Sequence, residues 1–316
     1  MNPKTKLGIL ALVSVALIVV FMTIQSGGNW GYILPRRGIK IAAIVLTAAA
    51  IAFSTVVFQT ITNNRILTPS IIGLDSLYML TQTFIIYMFG SMHLALVNPN
   101  LDFLLSVGLM IGFALLLYRF MFRKEGRNIY FLLLVGIVLG SLFGSMTTFM
   151  EVLIDPNEFL VLQSRMFASF NRMNTGILTV AAVSMAGIAI YCIRYVKVLD
   201  VLSLGRDHAL NLGLGYNGLV KRLLVVVAIL ISISTALVGP ITFLGLLIAN
   251  IAYAFMKTYR HSVLLWASIL IGIIALVGGQ LVVERVFTFS TTISVIINFS
   301  GGVYFLYLLL KESKSW

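Results

Sequence analysis

Hydrophobic residues fall into ten runs separated by short polar breaks. They lie at about Leu7–Gln25, Ile39–Ile61, Ile71–Gly90, Leu101–Phe122, Ile129–Glu151, Thr175–Val196, Leu219–Leu237, Ile241–Met256, Val263–Val283 and Thr292–Leu310. A helix needs about 20 apolar residues to cross a bilayer, so ten would use roughly 200 positions. The pattern predicts about ten membrane-spanning helices. The stretch from Leu219 to Met256 reads at first as one helix, but Gly239-Pro240 divides it, because proline lacks a backbone donor and clashes with the preceding turn. The first run has no small-residue cleavage motif and is kept as a helix, not a removed signal.

Composition narrows the class. Of 316 residues, 60% are hydrophobic and 10% charged, whereas a soluble domain carries about 25% charged residues. A soluble enzyme is excluded, and the fold class is an all-α polytopic membrane protein, one transmembrane unit over residues 1–316. The single cysteine, Cys192, rules out an intrachain disulfide and a Cys-based metal cluster. His93, His208 and His261 are too scattered to suggest a metal site, so no metal ligand is assigned.

The net charge of +12 would suggest nucleic acid in a soluble domain. With a cytoplasmic N-terminus and ten alternating spans, sixteen Lys and Arg fall inside. Only Arg36, Arg37, Lys40, Arg165, Arg172 and Arg285 fall outside. That obeys the positive-inside rule, puts both termini in the cytoplasm and implies no nucleic acid. Asp75, Asp102, Glu151 and Glu284 all lie near predicted span ends, which disfavours an ion-coupled carrier, since such carriers place ionisable groups mid-membrane. No Walker-type phosphate loop is present; Gly213-Leu214-Gly215 lacks the following Lys-Ser/Thr. Active transport would therefore draw its energy from another subunit. A membrane-embedded enzyme is disfavoured by the lack of clustered His, Asp or Glu, and no catalytic residue is assigned.

Three segments carry candidate chemistry. Gly136, Gly140 and Gly144 repeat every fourth residue in span five, a spacing that lets another helix approach closely. The same stretch offers Ser141, Ser145, Thr147 and Thr148 as the lining of a polar path, and both readings stand. Residues 200–217 face the cytoplasm and predict a short helix with Ser203 as cap and Gly213 or Gly215 as stop; it is either a docking surface or an interfacial connector. Residues 151–174 form an external loop in which Asp155-Pro156-Asn157-Glu158 caps a short helix from about Phe159 to Ser169. Glu151, Asp155 and Glu158 make that rim acidic.

Leu204-Gly205-x-x-x-Ala209-x-x-Leu212-Gly213 resembles the coupling-helix motif of the FecCD family, the permease subunits of iron-siderophore and vitamin B12 ABC importers. Arg206 and Asp207 stand where that family often has two acids. The resemblance implies that Leu204, Gly205, Arg206, Asp207, Ala209, Leu212 and Gly213 contact the ATPase. Gln59-x-x-x-x-Asn64-x-x-x-x-Pro69-x-x-x-Gly73 is similar to another family loop, with Arg65 replacing a proline and Ile66 a leucine. By that likeness Asn64 and Ile66 help form the cytoplasmic gate. Leu132-Leu-Leu-Val-Gly136 resembles the start of the family's span five, so Ile129 and Tyr130 would face the same gate.

Gly239-Pro-Ile-Thr-Phe243-Leu-Gly245-Leu246 is similar to a further motif. There Ala249-Asn250 replaces Pro-His, and Tyr253 stands where arginine is common. Ser290-Thr-Thr-Ile-Ser294 departs from the family's E-L-P-x-G, while Phe305-Leu-Tyr-Leu-Leu309 resembles the end of its last span. Leu34-Pro35-Arg36 resembles an outer motif whose arginines pair with acids on a binding protein. That implies docking by Arg36, with Arg37 as neighbour and Arg285 as a third cation. Ordinary interface anchors would have the same placement.

The resemblance implies a type II ABC importer fold like that of the vitamin B12 permease, with a gating helix in the 151–174 loop. The likeness is nearest to Gram-positive permeases that import petrobactin-type catecholate siderophores, and heme or cobalamin is the alternative cargo. Implied partners are a second permease subunit (the same chain or a paralogue), two cytoplasmic ATPases, an extracellular substrate-binding lipoprotein, the ferric siderophore and membrane lipid. The chain itself would hold no cofactor: the ATPase binds ATP, and iron arrives as a chelate. The expected location is the bacterial cell membrane.

Overall fold

The computed structural model describes residues 2–24, 30–93, 98–121, 129–171 and 173–313. They form thirteen α-helices and one 3-10 turn, with no strand among the described residues. In chain order these are α1 (Pro3–Thr23), α2 (Trp30–Thr62), the 3-10 turn Pro69–Ile72, α3 (Leu74–Phe89), α4 (Pro99–Met121), α5 (Ile129–Leu153) and α6 (Pro156–Met166). There follow α7 (Thr175–Ile193), α8 (Val196–Leu202), α9 (Arg206–Asn211), α10 (Tyr216–Val238), α11 (Leu244–Met256), α12 (His261–Arg285) and α13 (Ile293–Ser313). Of the charges counted for sidedness, Arg123, Lys124, Arg127, Arg172 and Lys314 lie outside the described residues.

All ten apolar runs contain a helix, but among the described residues only eight helices are long and apolar enough to cross a membrane: α1, α2, α4, α5, α7, α10, α12 and α13. The third and eighth runs become α3, with 16 residues, and α11, with 13. At 1.5 Å per residue these span about 24 and 20 Å, less than a hydrocarbon core of about 30 Å. Each begins at a break inside the bundle. After α2 the chain turns at Asn63 (φ 48°) and makes its 3-10 turn, and Gly73 (φ 87°) then lets α3 start. Gly239 (φ 97°) caps α10, and Pro240 and its neighbours lead into α11.

The first of these breaks alters the reading of Asp75. Its carboxylate accepts a hydrogen bond from Thr235 at 3.1 Å, and it shares a small polar cavity with Thr55, Ser70 and Thr242. Thr55 lies seven residues before the end of α2, about 10 Å along the helix. Asp75 thus begins its helix and still sits deep within the bundle.

The centre is α2 and α10, which pack on each other; α2 also meets α1, α7, α11 and α12, and α10 meets α3, α4 and α7. Every side chain of α2 from Ser54 to Thr62 is buried. A helix covered on all sides is a core helix. Gly136 and Gly140 of α5 press against the 3-10 turn. A Cβ on Gly136 would lie 2.9 Å from the Ile71 carbonyl oxygen, and one on Gly73 would lie 3.1 Å from Gly140 Cα. Without a hydrophobic drive between helices in lipid, such backbone approach is a main source of association. The first two glycines of that motif are therefore a packing seam, while Gly144 faces open space.

The long helices run between two ends. One carries α8, α9 and the last turn of α2, and is called the α9 end below. The other carries α6 and the first turns of α2, the α6 end. α2 starts at Trp30, nine residues before the predicted run. Pro35 sits in its second turn, where it forfeits one backbone bond without ending the helix.

Candidate functional site

At the α9 end, the short helix expected in the middle of residues 200–217 is α9, and α8 precedes it across a corner, which makes two short helices. Ser203 does not cap the second of them. It closes α8, with its Oγ donating to the Asp200 carbonyl at 2.8 Å. Gly205 (φ 95°) is the residue before α9, and Gly213 (φ 80°) follows it. Both angles lie in the left-handed region that glycine enters at little cost. Ala209 is buried and turns α9 back onto the body, while Arg206 and Asp207 are exposed. Leu204, Leu210 and Leu212 are exposed as well. Three leucines on so short a polar segment make an apolar surface patch, the kind that marks a contact site.

A cavity of about 220 Å³ lies between α9 and the end of α2, lined by Thr60, Asn63, Ile129, Tyr130, Gly205 and Arg206, among others. The two motifs of the sequence, Gly205-Arg206 and Ile129-Tyr130, thus meet across one space. Asn64 and Ile66 do not line it. They form a turn beside it, in which Asn64 Oδ1 accepts from the Ile66 amide at 2.8 Å, a local bond typical of asparagine. Between them, the Arg65 carbonyl accepts from Gln59 Nε2 at 2.6 Å and from Asn250 Nδ2 at 3.0 Å. The Arg65 guanidinium lies 4.6 Å from the Tyr253 ring centroid. The three departures Arg65, Asn250 and Tyr253 are one cluster that pins the turn to α11.

Sequence reading passed over the best-connected polar group at this end. His261, 3% exposed, opens α12. Its backbone N–H and its Nδ1 each lie 2.7 Å from Asp200 Oδ1 on α8, and its Nε2 lies 2.8 Å from Thr60 Oγ1 on α2. One imidazole joins α8, α12 and α2. Its partners are 61 and 201 positions away, so no local spacing signals the cluster.

At the α6 end the predicted docking arginines separate. Arg36 is exposed and stacks on Tyr32, with its guanidinium 4.1 Å from the ring centroid. Arg37 turns inward, and its Nη1 donates to the carbonyls of Phe21, Met22 and Ile24 at 2.9, 2.9 and 2.8 Å. It closes the C-terminus of α1, where carbonyls lack helical partners. Arg285 Nη2 reaches the same Ile24 carbonyl at 3.4 Å. Lys40 pairs with Glu284 at 2.9 Å. An open cavity of about 600 Å³ is lined by Tyr32, Arg36, Arg37, Lys40 and Phe170, among others.

The predicted helix of the 151–174 loop is present as α6, starting three residues early behind the Asp155 cap, whose Oδ1 accepts from the Asn157 amide at 2.9 Å. The expected acidic rim is altered. Asp155 is engaged by that cap, and Glu158 Oε2 accepts from the Ser91 amide at 2.6 Å. Arg165 pairs with Asp102 of α4 and donates to Gln82 Oε1 of α3 at 3.2 Å. Leu162 of α6 is buried against Ile85 and Ile86 of α3. On α5, Ser141, Ser145 and Thr148 are exposed on one face by their i, i+4, i+7 spacing. Thr147 is buried and donates to the Phe143 carbonyl at 2.8 Å.

Comparison with known proteins agrees with this architecture. The chain is similar to the petrobactin import system permease protein YclO of Bacillus subtilis (strain 168), with 61% identity over the full length of both. It is 38% identical over 280 residues to the petrobactin import system permease protein FatC of Bacillus anthracis, covering 89% of this chain and 79% of that one. Among solved structures, an inward-facing metal-chelate type ABC transporter matches with a TM-score of 0.85 at 21% identity, covering 98% of this chain and all of that one. That similarity shows a shared all-α fold. By the family model that matches residues 6–311, the chain belongs to the FecCD transport family.

Proposed function

We propose that this chain is the permease subunit of an ATP-driven importer that brings ferric siderophore of the petrobactin, catecholate-bearing type into a bacterial cytoplasm. The observation that carries the cargo is the full-length identity of 61% to YclO, named for petrobactin import. The α9 end is cytoplasmic, with both termini on that side, a reading that the distribution of Lys and Arg supports. There the exposed leucines in and beside α9, with Arg206 and Asp207, seat in a separate ATPase. The cavity between α9 and Ile129-Tyr130 carries its movement to the gate, in which Asn64 and Ile66 form the adjoining turn. A second permease subunit, the same chain or a paralogue, covers the exposed face of α5, and Ser141, Ser145 and Thr148 line the path between the two. Arg36 meets acids on an extracellular binding lipoprotein, and α6 gates the outer mouth. ATP stays on the ATPase and iron stays in its chelate, so the chain holds no cofactor.

The test is iron-limited growth and labelled-iron uptake in a strain lacking this chain. Ferric petrobactin, its catecholate precursor, ferric citrate, heme and cobalamin are supplied one at a time. Loss of petrobactin-borne iron alone is expected, restored by the intact gene and not by a Gly205→Val/Gly213→Val double variant. Loss of cobalamin or heme uptake in place of it would overturn the cargo and keep the permease.

A further inference from the structure

On the outside of the bundle, α7 and α10 pack together but leave an open groove between them of about 520 Å³. Its walls are Gly187 and Ile188 of α7 and Val225, Val226 and Ile229 of α10. Ser184 also borders it, yet its hydroxyl donates to the Val180 carbonyl of its own helix at 2.8 Å, so that wall is effectively apolar. Gly187 meets nothing within 4 Å of where a Cβ would stand. From Tyr191 back to Ser184 the groove runs about 10 Å along α7. It is a slot for a chain, closed on two sides and open to the bilayer.

The end of that slot nearest α9 is strongly basic. Lys221 and Arg222 line it and are exposed. Tyr191 also lines it, with Arg194 stacked on its ring at 4.1 Å and on Tyr195 at 5.1 Å. The two tyrosine hydroxyls are 3.1 Å apart, and Arg222 interacts with that of Tyr195. Among the described residues, none of Arg194, Lys221 and Arg222 forms an ion pair with a carboxylate. Three uncompensated cations and two phenols at the mouth of an apolar slot call for a ligand with an anionic, hydrogen-bond-accepting head and a hydrocarbon tail. Basic pockets between membrane helices on the cytoplasmic side bind such headgroups.

We infer that the α7–α10 groove is a binding site for an anionic phospholipid, with its phosphate among Arg194, Lys221 and Arg222 and the start of one acyl chain beside Gly187. The proposed sidedness enters only in naming the inner leaflet as its source. The site lies at the root of the α8–α9 segment, since Arg194 directly follows α7 and precedes α8. A bound lipid would fix the point from which that segment projects.

The full chain, purified in mild detergent from membranes containing phosphatidylglycerol, is examined by native mass spectrometry and by titration with phosphatidylglycerol. The expected result is retained anionic lipid, with phosphatidylcholine failing to replace it. Changing Arg194, Lys221 and Arg222 together to Gln weakens retention by roughly fivefold per cation, on the order of 100-fold in all. Gly187→Leu keeps every charge and fills the slot, and retention falls at least tenfold. Should the triple variant fail to insert, Gly187→Leu decides alone. Unchanged retention in Gly187→Leu, or equal retention of phosphatidylcholine, overturns the site. Displacement by inorganic phosphate as effective as by phosphatidylglycerol overturns the lipid and leaves a simple anion site. Because the readout is bound lipid and not uptake, failure here is separate from failure of the transport reading.

Discussion

The two ends of the bundle hold their polar groups in opposite ways. At the α9 end, the polar groups between helices are mostly neutral and buried: Thr60 with His261, Gln59 and Asn250 with the Arg65 carbonyl, with Asp200 at the edge. At the α6 end the corresponding bonds are made by full charges that are only partly buried: Lys40 with Glu284, Arg165 with Asp102, and Arg37 on the carbonyls that end α1. A buried bond between neutral groups contributes little by itself, but it is costly to break one-sidedly, since the abandoned partner stays desolvated. A partly exposed charge can turn to water when its partner is lost. The α9 end should therefore respond to mutation through the relation between helices, and the α6 end through local stability or encounter with a partner.

The largest expected effect follows from removing the imidazole that joins three helices. His261→Ala removes the side-chain bonds to Asp200 and Thr60, at about 0.5–1.5 kcal/mol each, although the backbone N–H at 261 still donates to Asp200 and Thr60 still donates to the Val56 carbonyl. In proteoliposomes with the assembled importer, uptake should fall at least tenfold while ATP hydrolysis continues. Asp200→Asn, whose Oδ1 still accepts from the His261 amide, should be milder. If hydrolysis and uptake decline together with the amount of folded protein, the histidine only holds the fold. Next in size is Arg37→Ala. It removes a donor from three carbonyls, of which Ile24 keeps Arg285, and should cost about 1–3 kcal/mol in stability, read as a lower thermal midpoint. Binding-protein docking should be unaffected in the surviving protein, and a docking defect at normal stability would return Arg37 to the docking surface.

How far the sequence discloses these features depends on the range over which each is encoded. The ten helices are local facts of hydrophobicity, and the Gly239-Pro240 break is a local fact of backbone chemistry. Gly205 and Gly213 mark the ends of α9 because only the backbone angle matters there. Ser203 misleads because its side chain serves equally well in closing one helix as in opening another. The shortness of α3 and α11 is hidden, since apolarity does not record that residues 63–73 turn back into the bundle. For the same reason Asp75 reads as an end residue when it is an interior one. His261, a lone histidine, shows its meaning only when α8 and α2 are brought to it. Arg36 and Arg37 are adjacent and chemically alike, and only the position of α1 separates their roles.

A smaller effect would sharpen the comparison inside the α9 end. Arg65 and Tyr253 stack in a cation–π contact worth about 0.5–1 kcal/mol where partly exposed. The main chain of the turn is held independently by Gln59 and Asn250. In a double-mutant cycle of Arg65→Ala and Tyr253→Ala, the coupling in thermal stability should be at most about 1 kcal/mol. Asn250→Ala, which removes a backbone anchor, should cost more than either. Equal costs for all three would mean that the stack and not the backbone bonds fixes the turn.

The smallest effect on stability belongs to Arg36, the exposed member of the basic group at the α6 end. Its guanidinium rests on Tyr32 at the surface, so Arg36→Glu removes only a solvent-facing stack and should shift the thermal midpoint little. What it reverses is the local field. A rim charge acts chiefly on association rate and on its salt dependence. Association of the binding protein should slow several-fold at low salt and approach the parent rate at high salt, where the screening length shrinks to about 3 Å at 1 M. Arg36→Gln should fall between the two. A rate that is the same for all three side chains at low salt would remove Arg36 from the docking surface. The α6 end would then have no exposed arginine left from the predicted set, since Arg37 and Arg285 both reach the end of α1.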